Sequence, residues 1–496
     1  MNILKVYLWG EEIGQLCWKP NLRQCYFTFN PKLKGDRPDI APLTLPLKRW
    51  SHYQTAYGDD RRIYQHLPPF IADSLPDSWG NKLFEEWAKI NRLSPYNISP
   101  LYRLMFIGKR GMGALEFVPS AAELSHPRPV DIKTLYDLSL KILDDRKEIS
   151  ILPQEELTLQ TLLSVGTSAG GRQMKAIIAI HRDTGEIRSG QVDGLENHEY
   201  YLLKFEDNIV PSSEIEMAYY EMASMVGIEM EECRILKIDG INHFLTHRFD
   251  RKRGEKIHMQ TLAAMNPEAT SYEELFAVCR ELELTDSDLE NLYRRMVFNV
   301  LANNTDDHNK NFSFLLERGG DWRISPAYDM TFIFNRFGTG PEIDRCLSIG
   351  GKYRGVTKDD LLLIGRENGI RNTEEIMDKI AEALKSFPDL AEKYAIDTRW
   401  RTIITSTLQD NLNRFGYGDR VATIASFTDK FGREVSDLKV EINRKGHYAV
   451  SAVIDGANKR RFVRPNMALY SLLATVSVRD LPIEKQLAII EELFPG

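Results

Sequence analysis

The run Asn303-Asn304-Thr305-Asp306-Asp307-His308-Asn309-Lys310-Asn311-Phe312 breaks into an apolar neighbourhood. Before it stands Met296-Val297-Phe298-Asn299-Val300-Leu301-Ala302, with helical spacing. After it comes Phe312-Ser313-Phe314-Leu315-Leu316, which pairs as a hairpin with Trp322-Arg323-Ile324. A turn this polar between two buried elements is costly unless its side chains bind something. Its oxygen-rich composition suits a hard cation.

Asp306 and Asn311 are spaced as the Asp and Asn of the protein-kinase catalytic loop HRDxxxxN. In that arrangement the Asp orients and deprotonates a hydroxyl, and the Asn carbonyl binds Mg2+. A second metal-binding carboxylate is expected after the hairpin, and Pro326-Ala327-Tyr328-Asp329-Met330 supplies Asp329. A lone Asp or Asn would read as a turn cap. The ordered set Asp, Asn, hairpin, Asp predicts metal-dependent phosphoryl transfer from ATP.

Upstream, Gly166-Thr167-Ser168-Ala169-Gly170-Gly171-Arg172-Gln173-Met174-Lys175 precedes two strands. It is neither a Walker A nor a GxGxxG loop, and reads either as a flexible turn or as backbone N–H groups set against phosphate, with Ser168, Gly170 and Gly171 nearest. Lys204 ends the apolar strand Tyr201-Leu202-Leu203-Lys204-Phe205. It either grips ATP phosphates and pairs with Glu216 (alternate Glu214) on the next helix, or faces water from an edge strand. Thr246, His247, Arg248 and Phe249 would form the hinge that contacts adenine. The same residues with Asp250 and Arg251 also read as a surface salt-bridge cluster. His308 and His258 lack partners at metal-ligand spacing. His308 is expected to structure the polar loop beside the cofactor.

The chain has 496 residues, 43% hydrophobic and 27% charged, with net charge −7. This predicts a globular chain of several domains and excludes a whole-protein basic field for nucleic acid. Five scattered cysteines form no CxxC pair, which fits a reducing compartment. Met1-Asn2-Ile3-Leu4 onward reads as a strand, not a signal peptide, and no run approaches about 18 apolar residues. A cytoplasmic protein without membrane contact is expected. Strands are predicted near 3–8, 25–29, 175–180, 199–205, 233–236 and 243–249. Helices are predicted near 82–88, 131–143 and 213–226, the last closed by Gly227, then a mostly helical stretch over 271–417. In the tail, residues 438–442 and 448–453 read as paired strands, followed by helical patterns. Lys459-Arg460-Arg461-Phe462-Val463-Arg464 is either a charged, aggregation-blocking edge strand or a contact for RNA, DNA or an acidic partner.

Asn304 to Ser313 resembles the catalytic loop of the HipA family of toxin Ser/Thr kinases. Pro326-Ala327-Tyr328-Asp329 is similar to that family's metal-binding motif, and Ser348-Ile349-Gly350-Gly351-Lys352-Tyr353-Arg354-Gly355 resembles a downstream element. Leu75-Pro76-Asp77-Ser78-Trp79 and Gly108-Lys109-Arg110-Gly111-Met112-Gly113-Ala114-Leu115 resemble its N-terminal subdomain. The resemblance runs over about 1–415. It implies an α+β, two-lobed protein-kinase-like fold: an N-terminal subdomain over 1–120, a kinase N-lobe over 121–250 and a helical C-lobe over 251–418. Residues 419–496 would form an additional α+β domain. It implies Asp306 as catalytic base, Asn311 and Asp329 on Mg2+, Lys204 on ATP phosphates, and autophosphorylation at Ser168, with Ser164 and Thr167 as alternates. It also implies a HipB-like helix-turn-helix antitoxin as a separate chain, DNA contact only through it, and a protein substrate such as an aminoacyl-tRNA synthetase. The rival readings are a small-molecule phosphotransferase of the same fold and a non-catalytic co-repressor.

Overall fold

The computed structural model describes residues 3–33, 39–93, 98–121, 129–143, 156–165, 173–191, 195–206, 209–335, 341–417, 427–428, 433–442, 448–463 and 492–494. The chain forms two compact units, Met1–Asn411 and Leu412–Gly496.

The first unit is α+β. Its first sheet holds β1 (Ile3–Leu8), β2 (Glu11–Lys19), β3 (Gln24–Phe29), β4 (Gln54–Tyr57) and β5 (Leu115–Val118), in the order β4-β3-β2-β1-β5. Strand β1 alternates, with Leu4, Val6 and Leu8 turned inward. Helices α1 (Leu47–Trp50), α2 (Pro69–Ala72), α3 (Ser78–Ile90) and α4 (Pro100–Ile107) lie between β3 and β5. Phe70, Ile71, Leu101 and Leu104 from α2 and α4 close this core.

Helices α5 (Ile132–Leu143) and α6 (Glu156–Val165) lead to a second antiparallel sheet. It comprises β6 (Lys175–His181), β7 (Ile187–Ser189), β8 (His198–Lys204), β9 (Cys233–Ile238) and β10 (Ile241–His247), ordered β7-β6-β8-β10-β9. Trp79, Leu83, Leu135 and Leu162 from α3, α5 and α6 pack with Ala176, Ile178 and Leu203 of this sheet. Each of these leucine and isoleucine side chains contributes roughly 1.5–3 kcal/mol of burial. Strand β8 is central, so Lys204 is not an edge lysine facing water, and that alternative falls. Helix α7 (Ser212–Met225) follows β8 and packs on β9 and β10. Glu206 accepts hydrogen bonds from Ser213 N (2.9 Å) and Ser212 Oγ (3.1 Å) at its start. Gly227, at φ +73°, ends it in the left-handed region where glycine carries no Cβ penalty.

The expected strand 243–249 sits two residues earlier. Beyond its last residue, Arg248 N still donates to Tyr200 O, while the Arg248 guanidinium turns to Asp250. A short hairpin, β11 (Arg251–Lys252) and β12 (Glu255–Lys256), leads to β13 (His258–Thr261), α8 (Leu262–Met265) and α9 (Tyr272–Glu281). Helix α10 (Asp286–Leu301) starts at a capping box made by Thr285 and Asp288 and buries Leu292, Met296 and Leu301. Asn303, at φ +57°, turns the chain out of it. The hairpin β14 (Ser313–Leu316) and β15 (Trp322–Ile324) is as expected, but β13 joins it as an unforeseen third strand, with Met259 opposite Leu315. Helices α11 (Lys358–Glu367), α12 (Thr373–Lys385), α13 (Phe387–Lys393) and α14 (Thr398–Arg414) complete this helical part.

The second unit contains β16 (Phe427–Thr428), β17 (Glu434–Ile442), β18 (Tyr448–Ile454) and β19 (Ala457–Val463), paired in sequence order. Strand β19 is an edge, and its Lys459, Arg460 and Arg461 are exposed. Arg464 and the helical pattern over 464–491 lie outside the described residues. Among the described residues no helix is long and apolar enough to cross a membrane.

Candidate functional site

Helix α10 delivers the polar loop and the β14–β15 hairpin returns the chain beside it, so Asp306, Asn311 and Asp329 meet on one side of a cleft. Lys204 and Glu216 face them from β8 and α7. The cleft encloses about 420 Å³. A second cavity of about 180 Å³ shares Lys204, Glu216, Asp306, Asn311 and Asp329 with it and is also lined by Lys175. The larger cavity has an apolar end, with Met230, Phe244, Ala327 and Met330.

Lys204 Nζ lies 2.6 Å from Glu216 Oε2 and 2.5 Å from Asp329 Oδ1. All three side chains are largely enclosed. Burial opposes the ammonium, but Asp329 and Glu216 outweigh it and raise the lysine pKa above its ordinary value. Burial lifts Glu216, with Lys204 pulling against it. Asp329 is half-buried, and against the cost of that burial Lys204 and Lys175 hold its carboxyl below the usual range. Its backbone sits at φ +53°, a left-handed conformation that Asp tolerates better than most residues. Glu214, the alternate partner, instead accepts from Asn242 Nδ2 at 2.6 Å.

The neighbouring aspartates part company. Asp307 is buried and accepts from Tyr272 OH (2.8 Å), Arg345 Nη1 (3.0 Å) and Cys346 N (2.9 Å). It ties the polar loop to the chain at 345–347. Asp306 is half-buried and lines the cavity, with Cys346 Sγ 3.7 Å from its Oδ1. Asn311 donates Nδ2 to Asp306 O at 2.7 Å, which leaves its Oδ1 as the atom for coordination. His308 accepts from Lys310 N through Nδ1 (3.2 Å), receives Asn311 N on its carbonyl (2.8 Å), and also faces the cavity. It therefore shapes the loop from within. Tyr328 OH donates to Lys310 O at 2.8 Å and fastens the segment before Asp329 to the loop.

Thr246, His247, Arg248 and Phe249 all line the cleft. His247 N donates to Glu232 O and Arg248 N to Tyr200 O, both at 2.9 Å, so these two amides belong to the sheet. The surface salt-bridge reading of this segment is overturned: Arg248, Asp250 and Arg251 are buried. Asp250 receives Arg248 Nη2 (2.7 Å), Arg251 Nη1 (2.8 Å) and Gly113 N (2.7 Å). These two guanidiniums press its carboxyl far below the ordinary range against the cost of burial.

Gly170, Gly171, Ser168 and Thr167 lie outside the described residues. Ser164, at the end of α6, is fully buried and donates to Thr161 O at 2.6 Å. Among the described residues no three His, Cys, Asp or Glu side chains cluster as a metal cage. The donors present, the Asp329 carboxylate and the Asn311 amide oxygen, fit Mg2+ shared with phosphate oxygens and water rather than one held by protein alone.

One contact carried no sequence signal. Asp77, before α3, reaches Lys175 on β6, with Nζ 3.3 Å from Oδ2. Only the pairing of β6 with β8, which sets Lys175 opposite Lys204, brings that lysine to the site.

Comparison with known proteins bears on the family and the fold. Residues 167–389 match the HipA-like C-terminal domain and residues 4–118 the HipA N-terminal domain, together more than half of the chain. A Haemophilus influenzae protein named "Putative kinase" is 25% identical over 221 residues, covering 39% of this chain and 62% of that protein. "Putative kinase Y4mE" of Sinorhizobium fredii is 24% identical over 310 residues, covering 56% and 70% respectively. The chain thus spans about two thirds of the length of these relatives. A chain of the Shewanella oneidensis MR-1 complex of HipA, HipB and operator DNA superposes with TM-score 0.57 and 16% identity, over 84% of this chain and 98% of that one. The fold is shared with that chain, and by its two matched domains this protein belongs to the HipA family.

Proposed function

We propose that this protein is an ATP- and Mg2+-dependent serine/threonine protein kinase, the toxin of a toxin–antitoxin pair. The observation that carries the reading is one cavity shared by Lys204, Glu216 and Asp329 and by Asp306, His308 and Asn311. ATP would lie with its base at the apolar end, against Thr246 to Phe249, and its phosphates toward Lys204. Lys204 is held by two carboxylates, so its ammonium is charged and fixed in direction, as a phosphate grip requires. Asp306 accepts the proton of the attacking hydroxyl. It is the loop carboxylate without the network of donors that engages Asp307, and it faces the cavity. Asp329 and Asn311 would hold Mg2+, which would supply charge neutralisation at the transferring group.

The names of the relatives support kinase chemistry, and the Shewanella complex supports a HipB-like antitoxin through which DNA is reached. Protein Ser/Thr specificity, autophosphorylation at Ser168 and an aminoacyl-tRNA synthetase as target extend the family resemblance.

The test is phosphorylation of a cell lysate with γ-labelled ATP, wild type beside Asp306→Gln, with labelled sites mapped. Wild type should label a lysate protein and Ser168. Asp306→Gln should label neither while still binding MgATP. Near-wild-type labelling by the variant would remove Asp306 as the base, and label only on small molecules would shift the reading to a metabolite kinase.

A further inference from the structure

A second buried lysine stands beside the cleft, and its counter-charge comes from about a hundred residues earlier in the sequence. Lys175 opens β6 directly opposite Lys204, lines the smaller cavity beside the cleft, and is 3% exposed. Its Nζ lies 3.3 Å from Oδ2 of Asp77, whose side chain is 9% exposed. Its carbonyl receives Trp79 Nε1 at 3.0 Å, from an indole buried in the core. Both ends of Lys175 are therefore held by residues 77–79 of the first α3 turn.

Asp77 is itself fixed. Its Oδ1 accepts Gly80 N at 2.5 Å and caps α3, so Oδ2 is the oxygen directed at Lys175. Asn81 Nδ2 donates to the carbonyls of Pro76 (2.9 Å) and Asp77 (2.8 Å) and locks the approach to the helix. A buried lysine beside Lys204 needs compensation. Without it two ammonium groups would face each other across paired strands, and Lys175 would be drawn to Asp329 or Glu216, the carboxylates that hold Lys204. Asp77 gives Lys175 a separate partner and keeps the two cations apart.

We infer that Asp77 is a positioning residue for the phosphate end of the cleft, holding Lys175 where it meets the nucleotide's phosphates apart from Lys204. This rests on the nucleotide-binding reading above. It makes the segment 75–81 part of the phosphate site, although the segment precedes the kinase-like sheet by about a hundred residues.

The variant Asp77→Asn isolates the ion pair: its amide oxygen can still cap α3, but an NH2 replaces the oxygen facing Lys175. Trp79→Phe removes the hold on the carbonyl and is an independent arm should Asp77→Asn lose its fold. MgATP and adenosine affinities are measured for wild type, each variant, Lys175→Met, and Asp77→Asn with Lys175→Met. Expected is MgATP weakened about tenfold by Asp77→Asn, and less by Trp79→Phe, with adenosine within twofold. The expected kinetic signature is a raised KM for ATP at nearly unchanged kcat. In the Lys175→Met background Asp77→Asn should add less than twofold, because its effect passes through the lysine. Equal losses for MgATP and adenosine, unchanged MgATP affinity, or full additivity in the double variant overturns the inference. Absence of MgATP binding by the wild type would instead overturn the nucleotide reading itself, and this inference with it.

Discussion

Two buried charge clusters sit within the first unit, and they are built in opposite proportion. Around Lys204 one cation meets two carboxylates, Glu216 and Asp329. Around Asp250 one carboxylate meets two cations, Arg248 and Arg251. The second cluster finds its remaining partners within the protein: Arg248 Nη1 also donates to Gly190 O, and Arg251 Nη1 to Gly113 O. Its surplus positive charge is spread over carbonyls of the surrounding loops. The first opens on the cavity, and its surplus is negative, which leaves room for a further cation. Burial of charge alone thus does not distinguish a site from a brace. The sign of the imbalance does.

The comparison can be broken in order of effect. Asp250→Ala leaves two guanidiniums buried without their carboxylate and should cost about 3–5 kcal/mol, read by urea denaturation. A loss under about 1 kcal/mol would mean that the cluster braces nothing. Lys204→Met should lower phosphoryl transfer by about 10²–10³-fold, the scale for removing one preorganised donor. Its fold should hold, because burial already raises the Glu216 pKa and that group can take up a proton. An active Lys204→Met variant would place the first cluster with the braces.

The smallest effect is on pH. The Asp250 carboxyl is depressed in the folded state. Its contribution is therefore present above the ordinary Asp value near 3.9 and is lost as pH falls below it. The stability gap between wild type and Asp250→Asn should be level from about pH 5 to 7 and should narrow below about pH 4. A gap that widened on acidification would reverse the sign of the interaction.

Much of this was legible in the sequence. The polar run between an apolar helix and an apolar hairpin gave the loop, and Asp306, Asn311 and Asp329 do line one cavity. Lys204 and Glu216 were readable because strand and helix are consecutive, so their pairing is nearly local. Less readable was what depends on strand order. Lys204 reads equally well from an edge or a central strand, and β10 decides the matter from some forty residues downstream. His247 to Arg251 carries the composition of a surface cluster. Only the arrival of Gly111 and Gly113, about 140 residues earlier, encloses it. Strand β13 was missed because four residues with one buried histidine give too short a pattern for period-two reading. Asp77 lies in a segment that resembles the family's N-terminal subdomain, but nothing in its spacing pointed to Lys175.

The backbone of Asp329 restricts what any laboratory or lineage can put there. At φ +53° most L-residues pay about 1–2 kcal/mol, while Gly pays none and Asn little. Alanine at this position confounds a lost carboxylate with a refolded turn, and glutamate lengthens the arm while straining its root. Asparagine keeps the conformation and removes only the charge. A library of all replacements, sorted first for folding and then for function, should retain Asn and Gly at the first gate and none but Asp at the second.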